Sequence, residues 1–445
     1  MSARQRQVWI AVGVVAVVVA GVAAWMLLPP SALSFAGGSA VSLADYRGPS
    51  PAGVPAELRD ADTVTRGRYL SAAADCLVCH TKAGGAPFAG GLAFNTPFGV
   101  MYSPNITPDR ETGIGAWTDA DFLRAVHEGI AKGGERLYPA FPYESYTLLT
   151  DEDVLAIKAY LFSLAPVRAD IPPNALAFPF NQRWLMAFWS AFYNPNQRFR
   201  PREERSPEWN RGAYLVEALA HCGDCHTPRN LAQALDNRRK FAGAVVTGWR
   251  AFNITPDAAT GVGDWTDEAL GGYLARGHAA GHGSASGPMG EVVDFSLNEL
   301  APDDIRAIIV YLRSVPPARA RGLPAVRTTA APEAARADAG DSSGKRVFAG
   351  ACAGCHDWSG TSVVSESATL IGNRAINDPT AMNVAQVVIA GAEARAYRGL
   401  GMPAFGAAYS DFEIAAVANY VVGRFGTEPA RLSARDVSRL RELAP

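Results

Sequence analysis

All six cysteines of this 445-residue chain fall into three copies of one motif, C-x-x-C-H. They are Cys76-Cys79-His80, Cys222-Cys225-His226 and Cys352-Cys355-His356, and no cysteine is left over. Six cysteines are too few to scaffold a chain of this length with disulfides, and disulfide pairing does not need a histidine after every second cysteine. A zinc site needs C-x-x-C pairs to meet in one tetrahedral shell, whereas here each pair has its own stretch of repeat. A thioredoxin-like redox motif expects a βαβ context, and the sequence lacks one. Covalent haem attachment is the chemistry that uses the whole motif. Two thiols about one helical turn apart each add to a haem vinyl group as a thioether, and the next residue, histidine, binds iron axially. The expected cofactors are therefore three covalently bound haem c groups, with His80, His226 and His356 on the iron.

The repeat extends beyond the cysteines. CLVCHT begins at Cys76 and CGDCHT at Cys222; NITPD begins at Asn105 and again at Asn253; GIGAWTD begins at Gly113 and GVGDWTD at Gly261. The last two pairs share one offset, and the cysteine pair differs from it by a small indel. Each copy opens with an amphipathic stretch, RGRYLSAAADC or RGAYLVEALAHC. Each closes with a helical pattern after acidic residues, DEDVLAIKAYLFSL from Asp151 or DDIRAIIVYLRSV from Asp303. A third, more diverged copy runs from Gly344 (GKRVFAGACAGCH) to a closing helix near Asp411 (DFEIAAVANYVVGRF). Strand signals are sparse. The expected fold class is all-α: three tandem cytochrome c domains of class I type, at 56–168, 207–317 and 341–430, behind an N-terminal transmembrane helix.

Two connectors differ in composition. The one at 318–340 is rich in Pro, Ala and Arg and reads as an extended linker. The one at 169–206 is apolar and aromatic at its centre, LAFPFNQRWLMAFWSAFY from Leu176. Asn181, Gln182 and Arg183 argue against a second span. The segment either packs between the first two domains or forms an interfacial helix, with Trp184, Trp189 and Tyr193 at headgroup level or lining a quinone pocket.

At the N-terminus, Arg4 and Arg6 precede an uncharged run from Val8 to Leu28. At about 1.5 Å per residue the run reaches roughly 31 Å, enough for a bilayer core. The arginines precede the run, so the positive-inside rule exports everything after it. A cleaved signal peptide, with Val22-Ala23-Ala24 as its cleavage site, is the alternative. The run is longer than the usual secretory apolar core, which favours an anchor at 1–30 and haem domains in the periplasm. Forty-one Lys+Arg against 43 Asp+Glu leave a formal charge of −2. Without a basic field, nucleic acid is excluded as a partner.

Methionine is the soft ligand that completes many haem c sites and favours ferrous iron. Of seven methionines, Met289 (SGPMGE) and Met402 (GMPAF) lie in Gly/Pro-flanked loops just before a closing helix, and both are expected distal ligands. Carrying the repeat offset back from Met289 lands on Phe141, in LYPAFPYESY, which has no lone pair for iron. The first haem is left with Met101 in FGVMYSPNITPD, with His127, or with a vacant position. A helix face through Phe122, Val126 and Gly129 would meet the haem, with His127 about 100° from Val126. The bland reading makes His127 a solvated or hydrogen-bonded side chain. His221, His278 and His282 have no ligand spacing and read as structural or exposed. NITPD and G-x-G-x-W-T-D are expected to shape loops around the haem propionates. Trp117 and Trp265 either donate indole N–H bonds there or pack in the core.

These motifs (CLVCHT, FGVMYSPNITPD, ETGIGAWTD, LYPAFPYESY, HCGDCHTPRN, SGPMGEVV and GMPAF) resemble the trihaem cytochrome c subunits of membrane-bound alcohol, aldehyde and gluconate dehydrogenases of proteobacteria, over roughly residues 60 to 425. The resemblance implies a periplasmic electron conduit between a PQQ, flavin or molybdenum dehydrogenase subunit and ubiquinone or a terminal oxidase. It implies the same roles for the six cysteines, the three motif histidines, Met289 and Met402. The family's AMPY reads AFPY here, at Ala140 to Tyr143, a form similar to the cytochromes that accompany molybdenum hydroxylases. No dinucleotide fingerprint, catalytic triad or molybdopterin signature is present, so electron transfer without dehydrogenase chemistry is the expected function. The alternatives are a peroxidase-like enzyme using an open first haem, and a redox sensor or docking protein.

Overall fold

In each copy the helix leading into C-x-x-C-H crosses the helix that closes the copy, and the crossing point is a glycine. The computed structural model describes residues 2–34, 51–329, 342–392 and 401–443. The opening helices are Thr63–Ala73, Pro207–Tyr214 and Ser342–Val347, and the closing helices are Asp151–Ser163, Pro302–Ser314 and Asp411–Phe425. A Cβ on Gly67 would overlap the carbonyl oxygen of Ala156; on Gly212, that of Ala307; on Gly344, that of Ala416. One turn further along each closing helix, Tyr160, Tyr311 or Tyr420 packs its Cβ against the same spot. A mid-helix glycine costs roughly 0.5–1 kcal/mol relative to alanine, and the close backbone approach it permits offsets that cost. Side-chain caps set where two of the closing helices begin, and Pro302 opens the remaining one. Thr150 accepts from the Asp153 amide, and Ser410 and Glu413 form a reciprocal capping box.

The first two copies are not separate beads. One continuous core joins Leu70, Val154 and Leu161 of the first to Trp209, Leu215, Ile308 and Tyr311 of the second, while Phe348, Ile414, Val417 and Val422 of the third build their own. A reciprocal pair of hydrogen bonds stitches the shared core. Tyr69 donates to Asp304 Oδ2 at 2.5 Å, and Tyr214 donates to Asp153 Oδ2 at 2.5 Å. The two tyrosines occupy the same place in RGRYL and RGAYL, and the two aspartates the same place in the closing helices. Asp304 is also held by both Arg211 nitrogens, at 2.8 and 2.7 Å, and Asp153 accepts from the Gly53 amide at 2.7 Å.

The all-α expectation needs correction. Ala93–Thr96 pairs antiparallel with Gly99–Tyr102, which Ala175–Leu176 joins as a third strand. Ala244–Val246 pairs with Trp249–Ala251, and His278–Ala279 with Gly283–Ser284. Strands of two to four residues are too short for a period-two pattern to stand out. Gly248, at φ 78°, makes the turn of the second hairpin, where its backbone carbonyl accepts from Gln386 of the third copy.

NITPD acts as a clasp rather than a bare loop. The Asn105 amide nitrogen donates to Val167 O and Thr112 Oγ1, and the Asn253 amide nitrogen to Ala318 O and Thr260 Oγ1. Each copy thereby holds the chain leaving its own closing helix. For the same reason the described part of the 318–340 segment is not a free linker. Ala320 and Leu323 are buried, and Arg327 donates its amide to Asn377 of the third copy. Residues 330–340 lie outside the described residues. Beyond 430, the helix Ala434–Leu443 buries Val437 and Leu440 in the third core.

The 169–206 connector packs against the body through one face and leaves the other uncovered. Phe199 is buried in the shared core, and the helix Leu185–Tyr193 sets Trp189 and Ser190 against the protein while Trp184, Phe188 and Phe192 face outward. Of the aromatic residues expected at an interface, Trp184 is exposed, whereas Trp189 hydrogen-bonds Ala232 O and packs on Tyr143. The N-terminal helix Ala3–Leu27 is exposed from Gln5 to Leu27, and that portion, with mean hydropathy 2.6, is long and apolar enough to cross a membrane.

The reciprocal bonds give the first prediction. Tyr214→Phe leaves the buried Asp153 carboxylate without its hydroxyl donor, and denaturant unfolding of the haem-loaded protein should lose about 1.5–3 kcal/mol. Tyr69→Phe, at the related but less buried site, should lose less.

Candidate haem centres

Each C-x-x-C-H lies on a single helical turn, and a local break before it swings the motif off the opening helix. Asp75 and His221, the residues before Cys76 and Cys222, both take left-handed backbone angles, φ 56° and 35°. In the third copy a π-helical turn, Phe348–Cys352, makes the break.

The three motif histidines share one backbone contact. His80 Nδ1 lies 2.8 Å from Pro104 O, His226 Nδ1 2.6 Å from Phe252 O, and His356 Nδ1 2.6 Å from Ala368 O. A carbonyl only accepts, so each Nδ1 carries the proton and each Nε2 keeps its lone pair for a metal. Burial depresses the pKa of all three imidazoles, only partly countered by the carbonyl. They are held neutral, the form that ligates iron. The hairpins now have a purpose: Gly99–Tyr102 runs into Pro104 and Trp249–Ala251 into Phe252. Each strand delivers the carbonyl that orients its histidine. In the third copy the short turn Glu366–Ala368 does this.

Five of the six cysteines sit where the thiolate is disfavoured. Burial pushes the thiols of Cys76, Cys225 and Cys352 up to about 11 and that of Cys222 up to about 12, and it raises Cys79 as well. Such a lining suits a porphyrin and opposes the thiolate chemistry of a zinc site. A neutral imidazole with a free Nε2, beside two thiols one turn apart, fits haem c in every copy.

Met289 lies in the first turn of the helix Gly287–Phe295, not in a loop as expected, and is half-buried against the shared core. Gly287 starts this turn at φ 53°, where a Cβ would overlap the Trp249 ring. Met402 is half-buried against the third core and pairs its backbone with Ala392 at 2.9 and 2.8 Å. At the related place in the first copy, Phe141 packs edge-on to Tyr146 at 5.4 Å and touches the cluster of Tyr143 and Trp189. Met101 lies on the hairpin opposite Phe94, three residues before the carbonyl that takes His80 Nδ1. His127 is 1% exposed, with Nδ1 3.7 Å from Asp151 Oδ1 at the start of the closing helix. Trp117 and Trp265 are half-buried against the shared core. The remaining histidines have structural partners: His221 stacks near Tyr146, His278 bonds Ser284, and His282 stacks on Trp265 at 4.0 Å.

Several residues at the junction of the first two centres gave no signal in the sequence. Tyr146 is buried between them, donating to Ala74 O at 2.5 Å with its ring 5.3 Å from His221. Asp75 is pushed up to about 8 by burial and then by the charge of Glu291. Glu144 is pushed up to about 8 by burial and then by Asp224, against the pull of Arg229, which bridges both acids at 3.2 and 3.1 Å. The Cys225 thiol contributes to the field at Cys79, so the two attachment sites face one junction. Asp75, Glu144, Tyr146, Asp224 and Arg229 all lie within stretches noted in the sequence, RGRYLSAAADC, LYPAFPYESY and HCGDCHTPRN, but nothing in those stretches marks a role for them.

The cytochrome c family matches this chain at residues 64–165 and 342–424. The chain is 37% identical over 397 residues to the gluconate 2-dehydrogenase cytochrome c subunit of Pantoea cypripedii, covering 85% of this chain and 89% of that protein. It belongs to the cytochrome c subunits of dehydrogenases. This cytochrome c subunit is also 34% identical over 409 residues to the cytochrome c subunit of alcohol dehydrogenase (quinone) of Gluconobacter oxydans, covering 87% of this chain and 84% of that one. It is 45% identical over 369 residues to a nicotinate dehydrogenase subunit of Pseudomonas putida, a match that takes in 82% of this chain but 30% of that much longer protein.

The surroundings of His127 set a pH dependence. Burial, and then the Arg198 charge, depress its pKa from 6.5 to about 4, against the pull of Asp151. Between those values the unfolded chain binds a proton that the folded chain refuses, so stability falls as pH drops from 6.5 to 4 and the loss saturates below. Denaturation of this cytochrome c subunit at pH 7 and pH 4.5 should show a loss of about 2 kcal/mol at the lower value, and His127→Asn should remove that part of the difference.

Proposed function

We propose that this chain is a trihaem electron conduit, anchored by Ala3–Leu27 with its haem domains in the periplasm, carrying electrons from a partner dehydrogenase to ubiquinone or a terminal oxidase. The observation that carries the reading is the triple recurrence of C-x-x-C-H with its histidine Nδ1 held by a carbonyl. Three domains, at 56–168, 207–317 and 341–430, are supported by the three glycine crossings, although the first two share a core. Haem c supplies a one-electron iron couple. The chain supplies the rest. Cys76, Cys79, Cys222, Cys225, Cys352 and Cys355 fix each macrocycle, His80, His226 and His356 hold the iron, and Met289 and Met402 complete two of the sites. At the first site Phe141 faces the place of the missing methionine. The hairpin setting of Met101 favours a first iron without a sixth protein ligand, and His127, whose buried Nε2 has no hydrogen-bond partner, is the side chain that would overturn that reading. Phe141, Tyr146 and Tyr143 give that side an aromatic wall, with no acid–base pair of His and Arg among the described residues of that wall, which speaks against a peroxidase.

An alcohol dehydrogenase (quinone) among the relatives supports a quinone acceptor. The AFPY form, and an identity to the nicotinate dehydrogenase relative above that to the gluconate and alcohol subunits, support a molybdenum hydroxylase as electron donor.

Intact mass of the matured protein should exceed that of the polypeptide by three haems, and two or fewer on fully matured protein refute the trihaem reading. Ferrous protein should bind carbon monoxide at one haem. Phe141→Met should abolish that binding and raise the potential of the same haem, as followed by spectropotentiometry. Carbon monoxide binding that persists unchanged in Phe141→Met would place the open site elsewhere.

A further inference from the structure

The outer end of the N-terminal helix is bolted to the haem-bearing body. Leu27 O accepts from the Tyr193 hydroxyl at 2.6 Å and from the Asn230 amide at 3.1 Å, and Leu28 O accepts from Arg238 at 2.8 Å. Pro30 O accepts from Asn237 at 2.9 Å, and the Arg238 guanidinium lies 4.7 Å from the Trp25 ring. Tyr193 ends the connector helix Leu185–Tyr193, and Asn230 precedes Leu231. The surface beside this junction is apolar and uncovered. Trp184, Phe188 and Phe192, spaced one turn apart, are 60%, 61% and 67% exposed, and Leu231 is 82% exposed. Phe178 and Phe180 extend the patch; Phe180 stacks on Phe98 at 4.2 Å, and its carbonyl accepts from Tyr138. The opposite face of the same helix is fully used inside, by Trp189 and Ser190. The outward aromatic residues are therefore not needed to fix the helix.

We infer that this patch, built on Trp184, Phe188, Phe192 and Leu231, is a second membrane contact that lies in the headgroup region beside the span. The occupant is the bilayer because the patch is continuous with the point where the span leaves it. A helix whose last residue bonds the end of the span sits at the depth where aromatic side chains concentrate. Arg183, exposed beside Trp184, borders it and can meet lipid phosphates. An apolar surface of this kind left in water would invite aggregation. The contact gives the haem domains a second point of support beside the span, which sets their tilt over the membrane.

The inference rests on the reading of Ala3–Leu27 as a retained anchor, and the test separates the two. In haem-loaded protein all six native cysteines are thioethers, so Phe188→Cys carries one reactive thiol. The full chain, without its catalytic subunit, is reconstituted into vesicles of phosphatidylethanolamine and phosphatidylglycerol, floated, and treated with a membrane-impermeant maleimide. Val363→Cys, at a 91% exposed position of the third copy, is the wet control, and unreacted wild type verifies haem loading. Leu231→Cys, on a loop, repeats the test independently of helix packing. Alkylation at 188 and 231 should be several-fold slower than at 363. Equal rates on floated protein overturn the membrane contact while leaving the anchor intact, and failure to float overturns both. Protection that appears only when the catalytic subunit is added also overturns it, and makes the patch a subunit interface.

Discussion

The closeness of two helices at a glycine governs the rest of this molecule. Where Gly67, Gly212 and Gly344 bring the opening helix against a backbone carbonyl of the closing helix, the start of each C-x-x-C-H is placed relative to a rigid partner. From there the chain has short distances to cover. A left-handed residue or a π-helical turn aims the cysteines, a hairpin or tight turn brings back one carbonyl, and the histidine is locked in the tautomer that iron needs. A side chain at the crossing would push the helices apart, and that displacement would pass along both to the site.

The same closing helices also build the junction between copies. Asp153 and Asp304 lie in the first turn of their own helices, where the backbone favours negative charge, and each is claimed by a tyrosine from the other copy. This exchange buries the wall between the first two sites, and Asp75, Glu144, Asp224 and Arg229 are gathered there. Carboxyls that burial keeps protonated near pH 7 add little negative charge beside the first two centres, whereas the third lies outside this core.

Much of this was legible in the residues. The repeat, the opening and closing helices and the six cysteines follow from patterns that side chains carry: a motif, a 3.6-residue period, a capping residue. The acceptors of the three histidines were invisible, because Pro104, Phe252 and Ala368 act through backbone oxygens that any residue has. The hairpins escape notice because strands of two to four residues cannot show alternation. Met289 reads as a loop residue because Gly287 and Pro288 precede it, yet proline is at home in a first helical turn. The merged core was hidden by the repeat itself. Tyr69 and Asp153 look like elements of one domain, and only the fold reveals that each is answered from the other. The hold on the start of the 318–340 segment was invisible for a related reason: proline and alanine carry no contact signal, while Asn253 and Thr255 grip the Ala318 carbonyl.

The shared core has a consequence for biogenesis. Two copies that bury their hydrophobic residues in one cluster fold as one cooperative unit, and covalent loading of either stabilises both through linkage. On the trihaem reading, a chain loaded with haem in the second copy but not the first is a unit half of whose interior lacks support, and the vulnerability spreads to the loaded half. The third copy, with its own core, would mature on its own account. Quality control would then meet two kinds of defective product: one that is lost as a pair, and one that survives as a shorter wire.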